Sequence, residues 1–263
     1  MRQLSTDEIE DLYREKILVL DDPEYLERYA RYDWRSRFDD ELLRRMDFPR
    51  LVVILEFERL IAERSIRAGD VLVLNGGETG DPELAHLPHD RVETYDFETD
   101  PEHADLHTLH FADGRQFDFV VFSQTLEHLY NPPLALDNAF AVTRPGGWMW
   151  TSVPTLSGLH QMPFHFSTGL TPIGLAAMVA AAGFEVLDVG QWGNTKYIAH
   201  LFDLGMIPTY YDLAPGSLRA RGYGHILRAL MALSPRNFLM DGRRHNDFAI
   251  PAQTWILARR PAG

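Results

Sequence analysis

The sequence predicts an α/β fold, a mainly parallel sheet covered by helices on both faces. Three observations point to it. Short, near-continuous apolar runs recur from about residue 70 onward, as strands buried on both faces require. Helical patterns alternate with them. Turn residues (Asn-Gly-Gly, Pro-Gly-Gly) punctuate the alternation.

Residues 1–67 read as helical and are expected to form a cap or lid ahead of a main domain over 68–263. Ser5 with Glu8 fits a capping box before Ile9 and Leu12, and Asp22-Pro23 suits a second helix start. Pro49 begins a third, with Leu51, Ile54, Leu55 and Ile61 on one expected apolar face. Val71–Leu74 then reads as a buried strand running into Asn75-Gly76-Gly77. Val92–Tyr95, Phe117–Phe122, Trp148–Val153, Phe184–Val189 and Gln253–Ala258 read as further strands. Helices are expected over 132–143 and from Thr171-Pro172 to Gly183. Residues 191–252 read as an insertion before the last strand, with an amphipathic helix around Ile226 to Met231 and an arginine-dotted loop.

Composition narrows the function. The 263 residues carry 25 Lys+Arg against 38 Asp+Glu, a net charge of −13. Such a surface repels phosphate backbones and anionic membranes, so neither nucleic acid nor a membrane is an expected partner. There is no cysteine, which excludes disulfides, iron–sulfur clusters and thiolate zinc sites. None of the eleven histidines sits in a metal-ligand pattern such as H-E-x-x-H, so no metal is expected. The polar, acidic opening MRQLSTDEIEDLYREK is unlike a signal peptide, and no run is long and apolar enough to span a bilayer. A soluble cytoplasmic protein is the default, and a homodimer is an open option.

In parallel sheets ligands bind at the carboxyl ends of the strands, so the residues after each strand come first. Asn75-Gly76-Gly77-Glu78-Thr79-Gly80 lets backbone approach a ligand, or is simply a tight turn. Asp96, after the second strand, is placed to accept ribose hydroxyls, or is a solvated loop carboxylate. Then come Asp105-Leu106-His107-Thr108-Leu109-His110-Phe111, Phe117-Asp118-Phe119-Val120, Leu126-Glu127-His128, Arg144-Pro145-Gly146-Gly147 and Gly183-Phe184-Glu185-Val186.

In this order and spacing, those elements resemble class I S-adenosylmethionine-dependent methyltransferases of the type 11 sort, over about residues 70–190. The resemblance implies a Rossmann-like three-layer sandwich. Its sheet would be mostly parallel and seven-stranded, the last strand antiparallel, with an N-terminal helical extension. It also implies S-adenosyl-L-methionine as cofactor. The Asn75, Gly76 and Gly77 turn would approach its methionine part and Asp96 its ribose. Asp105 and Leu106 would flank the adenine, and Ser123 and Gln124 would line the floor near the sulfonium. The chain departs from the family in four places, one of them the Met162–Thr168 segment, where His165 and Ser167 stand in place of the usual charged residues. Val73 stands where an acid is usual, and the glycine turn is altered. Asp105 follows Asp96 too closely for a full helix and strand between them, as in a subgroup with an abbreviated second βα unit.

Methyl transfer from a sulfonium is an in-line displacement in which the protein supplies alignment, and a general base helps a hydroxyl or protonated amine acceptor. His165 is the first candidate, with His128 and His160 behind it. Glu127-His128 also reads as a cap for the next helix, and the other two as ordinary loop residues. Trp192, Tyr210 and Tyr211 are further candidates for the walls of the site, or core residues; arginines 219, 221, 228, 243 and 244 are candidates to grip a phosphate or carboxylate, or solvated charges; Trp34 and Arg35 are candidates to close over the cofactor. The expected function is methyl transfer to an O or N atom of a small metabolite, a sugar or secondary-metabolite scaffold. The alternative is a non-catalytic cofactor-binding or interaction protein derived from such an enzyme. A nicotinamide dehydrogenase would need a G-x-G-x-x-G that Asn75–Gly80 lacks.

Overall fold

The computed structural model describes residues 1–21, 37–38, 48–76, 81–111, 113–157, 160–192 and 252–263. Its helices are α1 (Thr6–Leu12), α2 (Phe48–Glu63), α3 (Pro101–Ala104), α4 (Pro132–Val142) and α5 (Pro172–Ala181). Its strands are β1 (Ala68–Leu74), β2 (His89–Tyr95), β3 (Phe117–Ser123), β4 (Thr143–Pro154), β5 (Glu185–Trp192) and β6 (Gln253–Arg259). The starts of several helices follow from side-chain caps. Ser5 and Glu8 form the expected capping box. Asn131 and Thr171 accept from the amides of Leu134 and Gly174, with prolines just inside both helices.

The sheet order is β2-β1-β3-β4-β6-β5. Strands β1 to β4 pair in parallel, and β6 runs antiparallel between β4 and β5. This is the expected Rossmann-like arrangement, with six strands rather than seven among the described residues. The missing one would lie beyond β2. Between Asp96 and Phe117 the chain has room only for the one-turn α3 and a loop.

The strand pattern sorts side chains onto two cores. Leu72, Leu74, Val120, Phe122, Met149, Ile256 and Ala258 face α4 and α5. Their neighbours Val71, Val73, Phe119, Val121, Trp150, Trp255 and Leu257 face α2. Helix α2 departs from the expected one-sided pattern. It is buried around its whole girth from Arg50 to Phe57, and Phe57 meets Trp150 edge-on at 5.0 Å. The described parts of residues 1–67 therefore belong to the sheet's covering layers. Helix α2 supplies one core, and Ile17 and Leu20 join the other.

Two family motifs hold the end of the sheet remote from the strands' carboxyl edge. Asp118 accepts from the amides of Gly69 and Asp70 at 3.0 and 2.8 Å. Arg144 bridges Asp118 and Asp70, both at 2.7 Å. Gly147 is required by closeness: a Cβ there would lie 2.8 Å from the Arg144 carbonyl and 3.0 Å from that of Asp118.

Candidate active site

The carboxyl ends of β1, β2 and β3 meet on one edge, each marked by the chain's next residue. Asn75 and Gln124 both take left-handed backbone, φ 60° and 53°, which non-glycine residues adopt rarely and at cost. Asn75 ties the edge together. Its amide donates to the Tyr95 carbonyl at 2.8 Å, its Nδ2 to the Ala104 carbonyl, and its Oδ1 accepts from the Phe97 amide. Gln124 exchanges two amide hydrogen bonds with Gln253 at 2.9 and 3.0 Å, which locks β3 to the start of β6. Asp96 is half-buried, and its Oδ1 accepts from the Glu98 amide.

The other residues expected to touch a cofactor are placed differently. Asp105 turns one oxygen onto His107, whose amide and Nδ1 lie 2.9 and 2.8 Å away. Leu106 is fully buried in the core. Ser123 is buried, and its hydroxyl donates to Glu83 at 3.2 Å. Gly76 is described, while Gly77 lies outside the described residues, as do Asp22, Pro23, Trp34, Arg35, Tyr210, Tyr211, Ile226–Met231 and the five candidate arginines between 219 and 244. Trp192 belongs to the α2 core.

Beneath the tip of β3 lies a buried ionic cluster that no sequence pattern announces. Arg50 of α2 clamps both oxygens of Glu83 and reaches Asp81 at 3.1 Å. Trp150 Nε1 also points at Glu83. Burial works against charge on Glu83, but Arg50 outweighs it and holds the carboxyl at about 2. Asp81 is pushed well above the usual range by burial and by the Glu83 charge. The cluster is thus a bidentate Arg–Glu pair with a second buried carboxyl, Asp81, beside it.

Three histidines expected at the acceptor end converge. His128 follows β3, and His160 and His165 lie on the loop after β4. Ring centroids are 4.9 Å apart for His128–His160, 5.3 Å for His128–His165 and 4.5 Å for His160–His165. One ring nitrogen from each lies within 4.8 Å of the others. The loop is pinned to the Glu127-His128 turn. The amides of Phe166 and Ser167 donate to the Glu127 carbonyl, and His128 Nδ1 donates to the Phe164 carbonyl at 2.6 Å. At the loop's base, Gly169 (φ 140°) lies so near the Pro154 carbonyl that a Cβ would come within 2.2 Å of it.

His165 is 7% exposed, and neither of its ring nitrogens has a hydrogen-bond partner. Burial, then the neighbouring His160, lowers its pKa, and burial with the neighbouring imidazoles lowers that of His128. Glu127, fully buried beside them with an unpartnered Oε2, is lifted by burial to about 8. Exposed apolar side chains rim the cluster: Tyr130, Met162, Phe164 and Phe166. Phe97, next to Asp96, meets Phe164 edge-on at 5.5 Å, so the rim joins the two halves of the edge.

Residues 76–189 match a family model described as a methyltransferase domain. The match's N-terminal boundary falls at Gly76, in the turn after β1, and its C-terminal boundary within β5. No curated protein matches the chain. Solved structures similar to it include the YcgJ protein from Bacillus subtilis, 16% identical over 80% of this chain and 99% of that one, with a TM-score of 0.46. The N-methyltransferase NodS from Bradyrhizobium japonicum, in complex with S-adenosylhomocysteine, is 14% identical over 90% and 97%, with a TM-score of 0.45. The 1,6-didemethyltoxoflavin N1-methyltransferase from Burkholderia thailandensis is 15% identical over 79% and 78%, with a TM-score of 0.44. No described helix is long and apolar enough to cross a membrane.

Proposed function

We propose that the domain moves a methyl group from S-adenosylmethionine to an oxygen or nitrogen atom of a small metabolite, a sugar or secondary-metabolite scaffold. One observation carries this reading. A single edge of the sheet holds a half-buried carboxylate at the tip of β2 and, joined to it by the Phe97–Phe164 contact, a cluster of three imidazoles. The same reading has the protein soluble in the cytoplasm, which its acidic composition supports.

The donor set on the cofactor side suits a nucleoside. A carboxylate offers about four acceptor sites, and Asp96, which accepts from the Glu98 amide, is the carboxylate at the tip of β2 where ribose hydroxyls would sit. The left-handed residue Asn75, with Gly76 after it, lies at the carboxyl edge, where an amino-acid moiety would sit. Asp105 keeps its second oxygen for an exocyclic amine. When bound, S-adenosylmethionine supplies a methyl group activated by a sulfonium charge. The chain supplies alignment and a water-poor setting. His165, with unpartnered ring nitrogens in a buried position, is the group best placed to receive or orient the acceptor's proton. His128 is fixed with Nδ1 as donor, so its Nε2 carries the lone pair.

Specific observations favour a second reading, a cofactor-binding protein without turnover. Val73 is buried where an acid is usual, Leu106 lies in the core, and the Ser123 hydroxyl is taken by Glu83. Calorimetry and turnover separate the two. Under the enzyme reading wild-type protein binds S-adenosylmethionine, and Asp96→Ala weakens binding by about 1 kcal/mol or more. His165→Ala lowers turnover and leaves cofactor affinity nearly intact. No binding at millimolar cofactor would overturn both readings. Binding without methyl transfer to any acceptor in a metabolite extract would leave the second.

A further inference from the structure

We propose that His128, His160 and His165 together bind a divalent transition-metal ion of the zinc class. The three ring nitrogens come from two separate segments, yet they lie within 4.8 Å of one another. A tetrahedral zinc site with Zn–N bonds of about 2.1 Å needs nitrogens about 3.4 Å apart, so small ring rotations close it. Three neutral imidazoles with no thiolate are the donor set that suits zinc and its neighbours. No spacing in the sequence announces the site, because His128 joins the other two only through the fold.

Two further observations point to a ligand and not to a chance cluster. His165 is nine-tenths buried, and both of its ring nitrogens lack a partner. Buried polar atoms are almost always satisfied, and an ion in the cluster would take the lone pair of one of the two. His128 also shows the outer hydrogen bond typical of metal-ligating histidine. Its Nδ1 donates to the Phe164 carbonyl at 2.6 Å, which sets the ring and turns the Nε2 lone pair to the other side. Phe164 itself lies between His160 and His165 in sequence, so one backbone carbonyl of the ligand loop orients the ligand on the other segment. The Glu127 carboxylate, buried and with Oε2 unpartnered, lies 3.9 Å from His128 Nε2. Three protein ligands leave a fourth position open, the arrangement of catalytic rather than structural sites. An oxygen of an acceptor bound there would be acidified by the ion.

The site stands on ring geometry and is independent of the methyl-transfer reading, because it is tested on the full chain with metal alone. Protein stripped with a chelator is titrated with ZnCl2 by calorimetry, and with CoCl2 in the visible. One equivalent of either ion per chain is expected, with the intense d–d bands of low-coordinate cobalt(II). His128→Ala, His160→Ala and His165→Gln should each weaken zinc binding by roughly a hundredfold or more. His110→Ala, exposed and outside the cluster, should bind as wild type does. The cobalt spectrum of wild type needs no variant, so the test holds even where a variant misfolds. No saturable binding by wild type, octahedral-type weak cobalt bands, or affinity unmoved by all three variants would each overturn the proposal.

Discussion

At the scale of single residues, the site depends on charges placed where water is scarce. Arg50, Glu83 and Asp81 are 7%, 0% and 5% exposed, and removing one partner of such a pair leaves an uncompensated buried charge. Arg50→Ala should therefore cost about 3–5 kcal/mol of stability, read from urea unfolding. A change below about 1 kcal/mol would mean the cluster is hydrated or relaxes freely. This cluster is illegible in the sequence. Arg50 lies on a helix and Glu83 33 residues later in a turn, and no local pattern links them. The histidines are legible as candidates, because two fall within six positions after an expected strand. That they converge on His128 is not, since it depends on amide hydrogen bonds from Phe166 and Ser167 to a turn nearly forty residues upstream. Leu106 reads from its motif as a ligand contact, and its side chain lies in the core, where an aliphatic side chain beside a strand end is drawn wherever space allows.

At the scale of elements, two devices hold the strands in place. The first is Asp118–Arg144–Asp70. The Arg144 hydrogen bond lowers the Asp70 pKa. For Asp118, burial pushes upward, but the bonds from the Asp70 amide and from Arg144 outweigh it and the net shift is down. A depressed folded-state pKa contributes stability above the unfolded value, and that stability is lost as pH falls through the folded value. The window therefore lies below about pH 4, the ordinary aspartate range. Arg144→Ala should destabilise the protein at pH 7, and its gap to wild type should narrow as pH drops through that window. A gap that is constant with pH would contradict it. The second device is the loop after β4, closed where Gly169 meets the Pro154 carbonyl. Gly169→Ala should cost about 1–3 kcal/mol, because both φ and space oppose a side chain. Because that loop carries His160 and His165, turnover should fall more than cofactor affinity, a comparison steady-state kinetics and calorimetry make directly. Equal losses in both would place the strain elsewhere. The boundaries of these elements are largely legible, since apolar runs, prolines and capping residues act locally. Helix α2 reads as one-sided but is not, because periodicity reports which face is apolar and not how many neighbours surround it.

At the scale of the whole molecule, the fold is the most legible part. Alternate residues of β1, β3, β4 and β6 sort onto the two cores, and motifs at fixed spacing place the sheet's two ends. The two ends differ in kind. Phe-Asp-x-Val and Arg-Pro-Gly-Gly secure the end remote from the ligand edge, while Asn75, Asp96, Gln124 and the histidines form that edge. Much of what makes residues 76–189 similar to methyltransferase domains is thus structural, and the residues that would set an acceptor lie in loops whose sequence is free to vary. The methyl-transfer reading turns on the carboxyl edge of β1, β2 and β3 being a cofactor site. A crystal structure of the full chain with S-adenosylhomocysteine decides that point. The ligand should lie along that edge, with both ribose hydroxyls within hydrogen-bond distance of the Asp96 carboxylate. Its amino-acid end should lie at the Asn75–Gly76 turn and its sulfur should face the histidine cluster. A ligand bound elsewhere, or Asp96 turned away from the ribose, would show that the edge is not that site.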